Sequence, residues 1–501
     1  MNKTPISFIN FLLFILISVT TSACGGSDEK NGGNTPGSGI NVKPGMNLAG
    51  KILDGTTPIE GVVVSDGYTT TVTGADGVYQ LNANNDAEFV FVSIPADCEI
   101  PVSEGFPSFY QPISIKANEV LYKNFSLKKG TVKNKFRLLA MADIQIGDKT
   151  DVTYLQTTDI PQIISYLQSS LSDQPIYGIS LGDLVWDNLP YYPTYKENLR
   201  QLNIPVFSVI GNHDHDMKVV NNDAKADAVF KENFGPGYYS YNIGQCHFVV
   251  LDDVLYQGGS NKEYTGTLTQ KQLLWLKEDL KYVDKDKLII IGVHIPTKRR
   301  NSSAKLTNNS DLYKLLEGYK VRILSGHTHN NYTTTISENI EENSLGSVNG
   351  AFWNGDLCND GGARGFAVYE FDNNVIKNWY YKGASHPRDY QMYLYQPGRS
   401  VSALYKDGIL INIFTWHTDW TVKVYENDVY KQNLSQNIKE MDPRAYETMY
   451  GADKPSHRPS AEPEQNNDHM FYYKPSTNWT TVTVEASDQY GNTYRQSISR
   501  N

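Results

Sequence analysis

The chain of 501 residues reads as an α/β protein, with a layered α/β domain at its centre, a small β-sandwich before it and a β-rich domain after it. Three observations carry that reading. From Lys135 to about Ser337, nearly continuous apolar runs of strand length alternate with helical patterns, as expected of strands covered on both faces. From Met46 to about Lys129 the pattern is short alternating segments broken by Asp54-Gly55, Asp66-Gly67 and Asp76-Gly77, the spacing of a β-sandwich. From about Asn349 to the end the chain turns aromatic and β-branched, as in Phe366-Ala367-Val368-Tyr369 and Thr480-Thr481-Val482-Thr483-Val484.

The segments divide as follows. Residues 1–23 carry Lys3 before the apolar stretch Ile6 to Val19 and end in Ser22-Ala23, the make-up of a leader too short to span a bilayer comfortably. Ser22-Ala23-Cys24 resembles a bacterial lipoprotein cleavage site, which implies acylation of Cys24 and a lipid anchor in the outer membrane; an ordinary leader cleaved after Ala23 is the alternative. Residues 24–45, rich in Gly, Ser and Asn, read as a flexible tether. The sandwich then takes 46–130, the α/β domain 131–345 and the β-rich domain 346–501. Ala452 to Asp468, full of Pro and polar residues, reads as a surface loop. Beyond Cys24 the thiols are Cys98, Cys246 and Cys358, none in a Cys-x-x-Cys or Cys/His arrangement, so all three are assigned to packing. A hydrophobic fraction of 40% and a formal charge of −10 suit a globular, acidic protein. Such a balance argues against nucleic acid as the partner.

The central runs are Phe136 to Ala142, Ile176 to Leu181, Val206 to Ile210, Phe248 to Leu251, Leu288 to Val293 and Val321 to Leu324. Between them lie helices such as Gln270 to Tyr282, opened by a Thr269-x-x-Gln272 capping box with Leu273, Leu274, Leu276 and Leu280 on its inner stripe. Directly after these runs come Asp143-Ile144-Gln145, Gly182-Asp183, Gly211-Asn212-His213-Asp214, His294 and Gly326-His327-Thr328-His329. In open α/β sheets the carboxyl ends of the strands frame the ligand crevice, so the fragments are expected to converge there.

Taken together and in that order, these fragments resemble the metallophosphoesterase (calcineurin-like phosphoesterase) signature. The resemblance implies a four-layer α/β/β/α sandwich with two divalent cations (Mn, Fe, Zn or Mg) above the strand ends. It implies that Asp143, Gln145 and His329 serve one ion, that Asn212, His294 and His327 serve the other, and that Asp183 bridges. His213 is then the acid that steadies the transition state or protonates the leaving oxygen, with Asp216 orienting its ring and Asp214 the competing choice. Gln145 departs from the family pattern, which mostly has His there; a similar Asp-Ile-Gln occurs in the manganese-dependent ADP-ribose/CDP-alcohol diphosphatase branch. An amide oxygen is a harder ligand than imidazole. Purple acid phosphatases place a ligating Tyr three residues after the bridging Asp, and here that position is Trp186, which sets that branch aside.

Outside the centre, Ile59 to Gly67 and Ala75 to Tyr79 resemble the transthyretin-like or carboxypeptidase-regulatory-like module that often precedes such enzymes. Phe352 to Asp356, Asp360-Gly361-Gly362 and Ala486 to Gly491 resemble the β-rich C-terminal domain of one bacterial branch. The 352–362 segment is expected either to form a substrate lid, with Asn354, Asp356 and Asp360 touching substrate, or to be a plain junction turn. The expected activity is that of an exported, membrane-anchored phosphoesterase acting on a phosphorylated small molecule, phospho-glycan or lipid head group. The alternatives are a nucleotide-diphosphate pyrophosphatase and a catalytically silent glycan-binding lipoprotein. If Cys24 is the anchor, Cys24→Ser moves the protein from the membrane pellet to the soluble exported fraction; retention in detergent-extracted membranes would refute acylation.

Overall fold

A computed structural model describes residues 39–500, apart from 260–261, 301–305, 453, 455–456 and 458–460. The expected leader and Cys24 lie outside the described residues. Among these no helix is long and apolar enough to cross a membrane.

Two sheets face each other at the centre. The first runs in the order Val206–Val209, Ile176–Leu181, Lys135–Met141, Gly365–Asp372, Val375–Gly383. Its first three strands are parallel and the last two add as an antiparallel hairpin. The second runs Tyr239–Ile243, Cys246–Val250, Leu288–Gly292, Lys320–Ser325, Ile340–Ser344, Tyr332–Ser337.

The strand Lys135–Met141 shows why the runs lack polar gaps. Phe136, Leu138 and Ala140 enter the core between the sheets with Ile179, Val209, Phe248 and Ile291. Leu139 and Met141 point the other way, into a core shared with Ile163 and Leu167 of the helix Ile160–Ser170 and Tyr195 and Leu199 of the helix Tyr192–Arg200. Alternate side chains therefore find apolar partners on both faces, each large one contributing roughly 1.5–3 kcal/mol. Phe207 and Tyr241 lock the two sheets together, their rings stacked at 3.6 Å.

Helix Gln270–Asp279 covers the second sheet with Leu273, Trp275 and Leu276 buried. Leu274, expected on that stripe, is 53% exposed, because one residue turns the helix by 100° and Trp275 fills the inner face instead. The Thr269 hydroxyl does accept from the Gln272 backbone N–H at 3.3 Å. Gln272 does not close the box in return; its side chain spans to the backbone of Asp252.

The hairpin Gly365–Asp372/Val375–Gly383 lies past residue 345, where the composition suggested that the central domain ends, yet it pairs with the Lys135–Met141 strand from Lys135↔Asp372 to Ala140↔Ala367. An open edge on the first sheet would leave a ladder unpaired, and the hairpin covers it. Beyond the hairpin, a three-stranded sheet (Met392–Tyr395, Ile409–Ile413, Met470–Tyr473) packs on a four-stranded one (Val429–Asn433, Thr421–Glu426, Thr481–Ser487, Thr493–Ser499) around Ile411, Val424, Phe471 and Val484. The polar stretch before Met470 is not a free surface loop throughout. Asn467 and Asp468 are buried, and Arg300 of the central domain donates to Asp468 at 2.6 Å. The N-terminal sandwich shares one continuous core with the central domain, through Phe91 against Trp275 and the Tyr238 hydroxyl donating to the Gly67 carbonyl at 2.6 Å. Cys98, Cys246 and Cys358 are free thiols.

Candidate active site

The expected site residues follow the ends of their strands closely: Asp143 after Met141, Asp183 after Leu181, Asn212 after Val209, His294 after Gly292, His327 and His329 after Ser325. The chain must turn sharply at these points to aim the side chains inward. Asp143 (φ 50°), Gln145 (φ 46°), Asp183 (φ 50°), His327 (φ 68°) and His329 (φ 53°) accordingly sit in the left-handed region. For a residue with a Cβ this costs roughly 1–2 kcal/mol, and it persists only where surrounding contacts hold it.

Those contacts are hydrogen bonds between loops. Asp183 Oδ1 accepts from the His213 backbone N–H at 2.9 Å, and Asp143 Oδ2 accepts from the His327 N–H at 2.8 Å. The buried Asp214 carboxylate accepts from Leu184 N–H at 3.0 Å and Gly211 N–H at 2.9 Å. Burial and the neighbouring Asp183 push its carboxyl up to about 7. Two glycines are required by contact. A Cβ on Gly211 would lie 2.2 Å from Asp183 N and 2.3 Å from its Oδ1, and one on Gly182 (φ 83°) would lie 2.5 Å from His294 Nδ1.

Asp183, His294 and His327 place ligand atoms within 4.8 Å of one another. His294 Nδ1 faces the Leu181 carbonyl at 2.9 Å, so that nitrogen carries the hydrogen and Nε2 is turned to the cluster. Around His294 Nε2 lie Asn212 Oδ1 at 3.0 Å, His327 Nδ1 at 3.2 Å and Asp183 Oδ2 at 3.3 Å. Burial opposes the charged form of His294, but Asp183 and its hydrogen bond more than compensate and raise it to about 10. His327 goes the other way, well down, through burial and the adjacent His294. Asp183 is held well below the carboxylate range: burial alone would raise it, and His294 and His213 outweigh that. This buried carboxylate thus stands with His294 and His327 in a donor set that can hold a cation.

His329 Nδ1 faces the Gly350 carbonyl at 2.8 Å. Its Nε2 is left 3.5 Å from Asp143 Oδ1. That oxygen is buried and has no hydrogen-bond partner among the described residues. A buried carboxylate oxygen without a donor is costly unless a cation meets it, so Asp143 and His329 offer two facing ligand atoms to a metal ion. Gln145 is oriented differently from the expectation that its carbonyl faces a metal. Its amide nitrogen donates to Asp183 Oδ2 at 2.8 Å, and its carbonyl accepts from Asn349 Nδ2 at 2.7 Å. Asn349 Oδ1 is itself buried without a partner among the described residues. Turning both terminal amides would keep the pair bonded and bring the Gln145 oxygen to the cluster.

The orienting acid for His213 is neither Asp216 nor Asp214. Asp187 Oδ1 lies 2.8 Å from His213 Nδ1, while the Asp216 carboxylate caps its own turn by accepting from Lys218 N–H at 3.0 Å and Asp214 binds backbone. Asp187 reaches the ring because Asp183 and Asp187 (φ 55°) both turn left-handed and the Asp187 N–H donates to the His213 carbonyl at 3.1 Å. Burial pulls His213 down, but Asp183 and Asp187 prevail and its pKa is raised. The only sequence signal was the acid in Gly182-Asp183-Leu184-Val185-Trp186-Asp187, on the motif's own loop. Tyr264, whose hydroxyl lies 3.4 Å from His327 Nε2, had no signal at all.

Of the expected lid residues, Asp360 is an interior brace: its carboxylate accepts from Asn331 N–H at 2.7 Å and Gly362 N–H at 2.8 Å and lies 3.3 Å from His469 Nε2. Asp356 pairs with Arg364 at 3.4 Å, and Asn354 is buried. Phe352 reaches the site instead, its ring 4.6 Å from that of His329. Trp186 stands next to it at 4.8 Å and 5.5 Å from His213.

Three family models match consecutive stretches of the chain. They are the N terminal of Calcineurin-like phosphoesterase over 46–130, Calcineurin-like phosphoesterase over 136–331 and the C terminal of Calcineurin-like phosphoesterase over 342–494. Among solved structures the chain is similar to a dimetal phosphatase from Danio rerio, at 14% identity and a TM-score of 0.35 over 50% of this chain and 97% of that one. It is also similar to a purple acid phosphatase from yellow lupin seeds, at 13% identity and a TM-score of 0.38 over 66% and 68%. A third is a 5'-nucleotidase from Candida albicans, at 13% identity and a TM-score of 0.32 over 51% and 53%. No curated protein matches the sequence.

The contact between Gly211 and Asp183 gives a test of the geometry. Gly211→Ala should push Asp183 out of register and lower divalent-cation binding by tenfold or more, on the order expected for a lost supporting contact. Unchanged affinity by calorimetry would show that the loop absorbs the methyl group without moving the carboxylate.

Proposed function

Because the chain belongs to the calcineurin-like phosphoesterase family and is a metal-dependent phosphoric ester hydrolase, we propose that it cleaves phosphate mono- or diesters of small alcohols at a two-cation centre. Asp143, His329 and Asp183, with Gln145 once its amide is turned, would hold one ion; Asp183, Asn212, His294 and His327 would hold the other. The observation that carries this reading is the close grouping of Asp183, His294 and His327 with Asn212 beside them, next to a buried Asp143 oxygen that faces His329 without a hydrogen-bond partner among the described residues. Bound divalent cations supply Lewis acidity toward the phosphoryl oxygens and the attacking water.

The protein's own groups do the rest. The Leu181 and Gly350 carbonyls fix the tautomers of His294 and His329, leaving each Nε2 available. Asp187 holds the His213 ring through Nδ1 and favours its charged form. His213 Nε2 is then the proton source for the oxygen of the departing alcohol. Hydrolysis of p-nitrophenyl phosphate and bis-p-nitrophenyl phosphate, compared with Mn, Mg, Zn and Ca, tests the reading; no turnover with any of them would sink it.

Two expectations are specific to residues. His213→Ala should slow turnover of esters with poor leaving groups by ~10²–10⁴ with metal content retained, and Asp187→Asn should act in the same direction but more weakly. Loss of metal from His213→Ala would make that residue a ligand. Gln145→His should raise zinc affinity and shift the metal ranking toward zinc, since imidazole is the softer donor. An identical ranking in both proteins would mean that the Gln145 oxygen stays turned to Asn349 and never meets the ion.

A further inference from the structure

Four rings form a continuous wall across the crevice. Trp186 lies 5.5 Å from His213, Phe352 lies 4.8 Å from Trp186, and His329 lies 4.6 Å from Phe352, centroid to centroid, at tilts of 56°, 48° and 49°. The outer members are groups of the proposed site. The inner two, Trp186 and Phe352, remain only half-buried, although large aromatic side chains gain most from full burial.

Both are held firmly. The Trp186 N–H donates to the Ile146 carbonyl at 3.1 Å, and its neighbour Asp187 carries His213. Phe352 and Trp353 are consecutive residues in the left-handed region, at φ 56° and 64°. That conformation is fixed by the Trp353 N–H donating to the Asn349 carbonyl at 2.8 Å and the Trp353 indole N–H donating to the Gln145 carbonyl at 3.3 Å. Ala351, Ala445 and Met449 of the C-terminal part form the cluster against which Phe352 packs. Two consecutive left-handed residues thus fix a phenyl ring that packs against this cluster yet stays only partly buried.

We propose that Trp186 and Phe352 form a stacking wall for the alcohol portion of the substrate, so that the favoured phosphoesters carry a flat or ring-shaped body close to the ester oxygen. This rests on the reading that His213 serves the leaving oxygen. Trp186 is the ring beside His213 and Phe352 the next one along, so a ring carried by an alcohol held at His213 would have aromatic partners to stack on. An unbranched alkyl chain of similar size covers less of either face.

The test compares benzyl phosphate with n-butyl phosphate, whose leaving alcohols are chemically similar, on the full chain loaded with manganese. The wild type should favour the benzyl ester in kcat/KM by on the order of tenfold, chiefly through KM. Trp186→Leu and Phe352→Leu preserve apolar bulk but remove the ring, and each should cut the benzyl/butyl ratio about threefold or more. Trp186→Phe and Phe352→Tyr should keep most of it. A wild-type ratio near one, or a ratio retained in both leucine variants, overturns the wall while leaving the phosphoesterase reading in place. Hydrolysis of neither ester by a protein that turns over a p-nitrophenyl substrate overturns the wall alone; no turnover of any of the four substrates with Mn, Mg, Zn or Ca overturns the phosphoesterase reading and the wall with it.

Discussion

Everything at the centre of this protein is arranged around one buried carboxylate. Asp183 takes a backbone N–H from the His213 loop on Oδ1 and faces His294 and the Gln145 amide on Oδ2, with Gly211 stripped to a hydrogen so that the two loops can touch. A charge this far from water is tolerated only when its surroundings supply compensating charge and donors. Two sheets, each ending at the same edge, are the means of supplying them from different parts of the chain.

The arrangement has a conformational cost. Asp143, Gln145, Asp183, His327 and His329 hold left-handed backbone that residues with side chains avoid. The opposing term is the double-sided core beneath them. The Phe136 to Met141 strand is buried on both faces, and a scaffold that rigid can impose unfavourable turns on the loops it carries. Asp214 and His215 share the task from within the loop: the first collects N–H groups from the Asp183 turn and from Gly211, and His215 Nδ1 binds the Gly211 carbonyl at 3.0 Å. His215 stays neutral, because burial presses it down to about 4.

The segment after the second sheet completes the site rather than merely following it. Gly350 sets the tautomer of His329, Asn349 holds the Gln145 carbonyl, and Phe352 closes the ring wall. The same segment then enters the first sheet as the Gly365–Asp372 strand. The positions of these groups are therefore tied to strand pairing, and a change in the C-terminal part can reach the chemistry without touching a ligand.

The motif residues were legible in the amino-acid sequence because each stands directly after an apolar run, and apolar runs without polar gaps mark strands whose carboxyl ends share one edge. The α/β class followed from the same runs. What sequence could not decide was which group meets which across the loops. Asp187 rather than Asp216 orients His213 because a left-handed turn at Asp183 and another at Asp187 bring the nearer acid back to the ring, and propensity does not foretell such turns for aspartate. Leu274 lies in water because of a single helical step. Asp360 braces the interior because Asn331 and His469 arrive from distant parts of the chain. Gln145 turns its nitrogen to Asp183 because Asn349, 204 residues away, claims its oxygen. Residue type and order determined the fold and the chemical character of the site; the pairing of donors with acceptors was left to the tertiary structure, since a hydrogen bond is decided by distances of a few tenths of an ångström between segments that only packing brings together.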